Sequence, residues 1–285
     1  MQYFSRGLIA IIVVLGLGGI GYLWWQKHQA AQPAPIAAVP APSQAPVVAA
    51  TAASAASEPA NYPIEAVAAE HAASPALPPL DAQGDAVRDA LIALLGRQQV
   101  LSFFDLDDFA SRVVATVDNL ARPHAAARLW PVVPAPAQFL VQERAGVPTI
   151  AKGNADRYAA FVRFASGIDS AGAVALYVRL YPMLQKAYEN LGYPDKQFNN
   201  RLVEVIDQLL LTPEPEGPIA LTLTKVQGPI EVKRPWVRYE YADPDLQARS
   251  AGQKILMRMG VQHTRTLKAK LRDLRKRIAG RSVGG

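Results

Sequence analysis

The sequence predicts a mainly α-helical domain with a small β element, preceded by one transmembrane helix and a disordered tether. Three observations carry this prediction. Residues 7–25 hold no charged side chain, and residues 30–80 contain 20 Ala and 10 Pro in 51 positions. After Leu80, apolar residues recur three and four apart over long stretches, the period of a helix with one buried face. The chain is read as residues 1–6 cytoplasmic, 7–25 the membrane span, 26–80 the tether, 81–279 the helical domain and 280–285 a flexible terminus.

The span is 19 residues, or about 28 Å of helix, close to the hydrocarbon thickness of a bilayer. Tyr22, Trp24 and Trp25 gather at one end, where amphipathic rings prefer the headgroup boundary. A cleaved signal peptide is the alternative, although the apolar run is long for one. Gly16 to Gly21 fits a dinucleotide-binding fingerprint, but only a double tryptophan and a Pro/Ala tract follow, so no nucleotide cofactor is assigned. Between Lys27 and Arg88 there is no Lys or Arg. The charge rule therefore favours the amino terminus inside and the domain in the periplasm of a bacterial inner-membrane protein. A tract so rich in Ala and Pro cannot bury enough surface to offset the entropy of ordering it. Within it, Ile64 to Ala73 has the makings of a transient helix.

In the domain, Val87, Leu91, Leu94 and Leu95 predict a helix over 86–101. Asp105 is the expected cap of a second helix over 106–120, with Phe109, Val113, Val114 and Val117 inward. The tract over 130–150, rich in Pro and Val, reads as irregular chain or as a short hairpin of residues 139–141 and 148–151 with a turn at Gly146. Asn154 is placed as the cap of a third helix, and Asp169 or Ser170 as the start of a fourth that Pro182 should kink near Leu180. Phe198, Leu202, Val205, Ile206 and Leu209 share a face of a fifth helix. Strands are expected over 219–223 and 237–241. Asp243-Pro244 opens a helix running to Met259, and a last helix covers Val261 to Ile278.

The chain carries 30 Lys+Arg against 24 Asp+Glu and no cysteine. The last number excludes a disulfide framework, a thiolate metal site and a cysteine nucleophile. His28, His71, His124 and His263 are too few and too scattered to suggest a metal site, and Asp105, Asp107 and Asp108 are better read as helix-start acids than as calcium ligands. No residue pattern points to a catalytic group, a metal or a cofactor.

Tyr181-Pro182, Gly192-Tyr193-Pro194, Phe198-Asn199 through Asp207, Tyr241-Ala242-Asp243-Pro244 and Ser250 through Gly260 together resemble a bacterial family, the domain of unknown function numbered 3014. The resemblance spans about residues 85–277. It implies the same layout of membrane span, Pro/Ala tether and domain, and it supplies no activity.

Two groups of side chains are candidates for binding. Tyr193, Asn199, Arg201, Glu204 and Asp207 suggest a polar cleft on the fifth helix, with an Arg–carboxylate helix clamp as the commoner meaning of such a set. Between Arg249 and Arg281 stand 11 basic residues and one acid, net +10. There Leu267, Leu271, Leu274 and Ile278 form a seam, and Arg265, Lys268, Lys270, Arg272, Arg275, Lys276 and Arg277 are candidates for touching an anionic surface. Docking of the seam on the domain, a short coiled coil and anionic-surface contact all fit this pattern.

The leading expectation is a non-enzymatic interaction or scaffold module of the cell envelope, held to the inner membrane by residues 7–25 and meeting an envelope protein or anionic envelope component. A cytoplasm-facing domain that binds nucleic acid or the inner leaflet through the basic helix is second, and nucleic acid is the disfavoured partner. An envelope hydrolase working near Asn199, Arg201 and Asp207 is third.

Overall fold

In the computed structural model, residues 61–70, 84–224 and 238–279 are described. The expected span at 7–25, most of the tether and residues 280–285 lie outside them. Among the described residues no single helix is long and apolar enough to cross a membrane. The chain forms α1 (Ile64–Glu70), α2 (Gly84–Leu95), α3 (Arg97–Phe103) and α4 (Phe109–Leu120). After a 3₁₀ turn come β1 (Val141–Arg144), β2 (Val147–Ile150), α5 (Asn154–Gly167), α6 (Ser170–Asn190) and α7 (Phe198–Leu210). Then follow β3 (Leu221–Leu223), β4 (Tyr239–Tyr241), α8 (Pro244–Gln247), α9 (Ala251–Met259) and α10 (Val261–Ile278). The protein is mainly helical with small two-stranded sheets, as its apolar periodicity predicts.

The core lies among α4, α6, α7 and α10. Leu120, Leu180, Leu202, Leu267, Leu271, Leu274 and Ile278 are wholly buried within it. The seam of α10 therefore docks on its own domain. A smaller cluster of Leu221, Tyr241 and Met257 joins the sheets to α9.

The β1–β2 hairpin turns through Ala145 and Gly146, whose φ values of 49° and 76° give a two-residue turn of the kind that matches strand twist. Its register places Arg144 opposite Val147. A bridge from Thr149 to Ala220 links the hairpin to β3, which pairs with β4.

Several elements depart from the periodicity. The helix expected over 86–101 is broken at Gly96, whose φ of 86° takes the backbone out of helix between α2 and α3. The one expected from 106 starts only at Phe109. Asp105 is not its cap: its carboxylate accepts from the Asp107 N–H and approaches Arg112, while the N-cap position is held by Asp108 in left-handed geometry. Asn154 does not cap α5 either. It is buried in the first turn and clamps the hairpin, accepting from the Leu140 N–H at 2.9 Å and donating to Leu140 and Ala151 carbonyls. Asp169 does cap α6, accepting from the Gly172 N–H. That helix continues through Pro182 without a break.

The helix expected from Asp243 to Met259 divides into α8 and α9. Ser250 starts the second with a reciprocal capping box, its hydroxyl accepting from the Gln253 N–H and the Gln253 side chain from the Ser250 N–H.

Residues 61–70, expected within the tether, belong to the fold. Val67 of α1 is wholly buried, the Tyr62 N–H donates to Asn200 and the Tyr62 carbonyl accepts from Asn199.

At Gly252, α9 comes so close to its neighbours that a Cβ would lie 2.5 Å from the Leu209 side chain and 3.1 Å from the Leu120 carbonyl. The leucine tip can swing aside, whereas the backbone carbonyl of α4 cannot. Gly252→Ala is expected to cost about 1–3 kcal/mol through overpacking, read as a shift in the urea midpoint.

Candidate functional site

Asp118 occupies the inward face of α4 between Val114, Val117 and Leu120, and its side chain is 4% exposed. A carboxylate buried there demands cations, and the fold brings it two. Arg122, one turn on, donates to Oδ2 from Nε at 3.0 Å. Arg201 of α7 donates to Oδ1 from Nε at 3.1 Å and to the Asp118 backbone carbonyl from Nη2 at 3.3 Å. One carboxylate thus holds two guanidiniums side by side and ties α4 to α7.

The α6–α7 loop supplies the third wall. At Gly192, with φ of 113°, the chain leaves α6 and sets the Tyr193 ring on Tyr188, centroids 4.7 Å apart. The Tyr193 hydroxyl accepts from Arg122 at 2.8 Å and lies 3.4 Å from Asp118 Oδ2. Gln185 fixes the loop by donating to the Lys196 carbonyl and accepting from the Phe198 N–H. Burial pushes the Tyr188 phenol up to about 12, and hydrogen bonding to Asp118 raises Arg122 above its ordinary value. A cleft of about 290 Å³ opens here, lined by Asp118, Arg122, Tyr193, Lys196, Arg201 and Glu204 among others. Arg122 is half exposed and Lys196 exposed, so cationic donors face the opening.

Of the five residues expected to share a cleft, Tyr193, Arg201 and Glu204 meet at this one; Glu204 pairs with Arg201 at 3.3 Å. Asn199 and Asp207 do not. At about 100° of helix rotation per residue, Asn199 lies some 200° from Arg201, and Asp207, two i,i+3 steps away, has drifted about 120°. Asn199 is buried between helices, donating to the Tyr62 and Ile278 carbonyls and accepting from the Tyr177 hydroxyl. Asp207 takes the guanidinium fork of Arg275 on α10. Asn199, Arg201 and Asp207 do not share one cleft: each is paired, and with a different partner.

The cations of α10 are mostly spent inside the domain. Lys268, only 6% exposed, donates to the Thr212 carbonyl at 2.6 Å and to Glu214 at 2.7 Å. Arg265 also holds Glu214, Arg277 holds Asp273, and Lys270 reaches the Ile168 carbonyl. With Arg275 on Asp207, this leaves Arg272 and Lys276 as the two of the seven that are exposed with no partner among the described residues. Of the seven side chains expected to touch an anionic surface, Lys268 is buried, while Arg265 is exposed but ion-paired.

Hydrogen bonds from Lys268 and Arg265 hold the Glu214 carboxyl down from 4.5 to about 2. A depressed carboxyl stabilises the fold above its unfolded value and loses that contribution as pH falls through the folded one. The latch between α10 and the 212–218 segment is therefore intact above about pH 4.5 and released towards pH 2. Glu214→Gln is expected to flatten the fall in melting temperature across that window, followed by circular dichroism.

Asp118 is the residue that the periodicity reading passed over. Its signal was an acid on the apolar face of an amphipathic helix, four residues before an arginine.

No curated protein and no solved structure matches the chain. Residues 109–275 match the family described as protein of unknown function (DUF3014), a region that includes α4 to α9 and nearly all of α10 and so holds every wall of the Asp118 cleft. The chain belongs to that family.

Proposed function

We propose that this protein is a membrane-tethered interaction module of the cell envelope, its helical domain carried in the periplasm and binding a carboxylate-bearing envelope component at the Asp118 cleft. The single observation behind this reading is the pair of guanidiniums set on one buried carboxylate, with Arg122 and Lys196 open to solvent. A guanidinium already oriented by a carboxylate loses little freedom when a second acid docks on its outer edge. Such an arrangement binds. It is poorly made for proton transfer, because Asp118 and Tyr193 are themselves engaged with Arg122.

The membrane span and tether rest on the composition of residues 7–25 and of the Ala/Pro-rich tract over 30–60. A tether suits a module that must reach a partner away from the bilayer.

The test uses the full chain in cells. Its lack of cysteine allows Ser282→Cys to be probed with a membrane-impermeant thiol reagent, and a photoreactive side chain in place of Lys196 reports on the cleft. Labelling with the inner membrane intact, with a crosslink abolished by Arg122→Glu, is the expected result. Protection of the cysteine until lysis overturns the periplasmic placement. A crosslink indifferent to Arg122, or none, overturns the cleft as the binding site.

A further inference from the structure

A second open cleft, of about 520 Å³, lies between α9, the 123–130 segment and β4. Its charged walls are Arg238, Lys254 and Arg258 against Glu240. Lys254 and Arg258 stand one turn apart on α9, where like charges repel and weaken a helix. The part-buried cations Arg201, Arg275 and Lys268 are answered by carboxylates, at Asp118, Asp207 and Glu214, whereas Arg157 and Lys270 have neutral acceptors. Here, among the described residues, none of the three cations has a carboxylate within ion-pair distance. Lys254 donates to the Gln247 carbonyl at 3.2 Å, and Arg258 to the Tyr239 carbonyl at 3.1 Å. Arg258 also lies over the Phe139 and Tyr241 rings.

A separate observation concerns hydrogen bonding. Two buried N–H donors on lining residues, Arg258 Nε and Trp130 Nε1, have no acceptor among the described residues. A buried donor without an acceptor costs about 1–3 kcal/mol, so two on one cleft mark a place where acceptors are wanted. Burial, with Arg258 adding to it, lowers Lys254 below its ordinary value.

Three cations against one carboxylate leave +2. A monocarboxylate would neutralise half of that, whereas a phosphate monoester carries nearly two negative charges near neutral pH and three acceptor oxygens. We propose that this cleft is a binding site for a phosphate-monoester group, held by Lys254, Arg258 and Arg238. The volume exceeds what a phosphate alone needs and falls in the range of small-molecule sites, so the ligand carries an organic body beside Trp130. The site is separate from the Asp118 cleft and stands or falls without it.

The experiment is calorimetric titration of the full chain in detergent with phenyl phosphate, benzoate and inorganic phosphate at fixed ionic strength. Sedimentation with vesicles containing phosphatidic acid, against phosphatidylcholine alone, accompanies it. Phenyl phosphate is expected to bind at least tenfold more tightly than benzoate. Lys254→Gln and Arg238→Gln should each weaken it about tenfold, while Arg163→Gln, on the exposed face of α5, leaves it unchanged. Binding confined to phosphatidic-acid vesicles and lost with Lys254→Gln also supports the site and makes the natural ligand a lipid headgroup. Equal affinity for benzoate, no binding to either phosphate source, or wild-type binding by both cleft variants overturns it. The two variants touch different elements, α9 and the segment before β4, so misfolding of one still leaves the other to decide.

Discussion

Asp118→Ala is expected to lower the stability of the domain by about 3–5 kcal/mol, the cost of removing one partner from a buried ionic cluster. The loss falls on Arg201 more than on Arg122. Arg201 is three-quarters buried and spends its Nε and Nη2 on Asp118, so in the variant a guanidinium remains at the α4–α7 interface with only Glu204 to answer it. Arg122 is half exposed and can turn to water. Arg122→Ala should therefore cost under about 1 kcal/mol, as exposed ion pairs do. Urea unfolding followed by far-ultraviolet circular dichroism measures both. A double cycle with Arg201→Ala should return a strong coupling between Asp118 and Arg201, whose side chains meet across helices 83 residues apart in sequence. A loss below about 1 kcal/mol for Asp118→Ala would mean that the carboxylate is not the hub of the cleft. The guanidiniums would then be free to serve a ligand without it.

Which parts of the fold were legible in the sequence follows from the range of the forces involved. Helices α5 to α7 and the seam of α10 rest on local periodicity and stand where the sequence puts them, and the turn at Gly146 does too, although the first strand of its hairpin runs from Val141 to Arg144 rather than over 139–141. The breaks are a different matter. Apolar spacing runs across Gly96 from Leu95 to Val100, and only the positive φ at Gly96 shows that the chain changes direction there. Ser250 and Gln253 spell a capping box in the sequence, yet the strong Asp243-Pro244 start masked it, and one helix was expected where two form. Side-chain pairing was the least legible. Asp118 with Arg201, Asp207 with Arg275 and Glu214 with Lys268 are separated by 83, 68 and 54 residues, and nothing local announces them. The docking of α1 was hidden for a related reason. Its anchors, Asn199 and Asn200, sit on α7, and the sequence around Ile64 speaks for a transient helix within a tether, with nothing local to show that it docks.

The second large effect is expected on α10. Leu271 is wholly buried, and Leu271→Ala should cost about 2–5 kcal/mol through lost transfer energy and the cavity left behind. Arg272→Glu and Lys276→Glu, on the exposed side of the same helix, should each stay within about 0.5 kcal/mol. Lys268 separates the core role of α10 from its charge. Lys268→Ala removes the buried ammonium and its stem, leaving the Thr212 carbonyl without that donor and Glu214 with Arg265 alone. Lys268→Met keeps the volume and should lose less. A helix that earned its net positive charge by lying on an anionic surface would show the reverse pattern: its cations would be dispensable for folding and decisive for vesicle binding. In this domain four of the seven α10 cations form ion pairs with acids and a fifth holds a carbonyl, so most of these seven are already engaged inside the protein. Among the described residues, Lys254 and Arg258 on α9 also lack a carboxylate within ion-pair distance, and they stand against a cleft rather than on an open helix face.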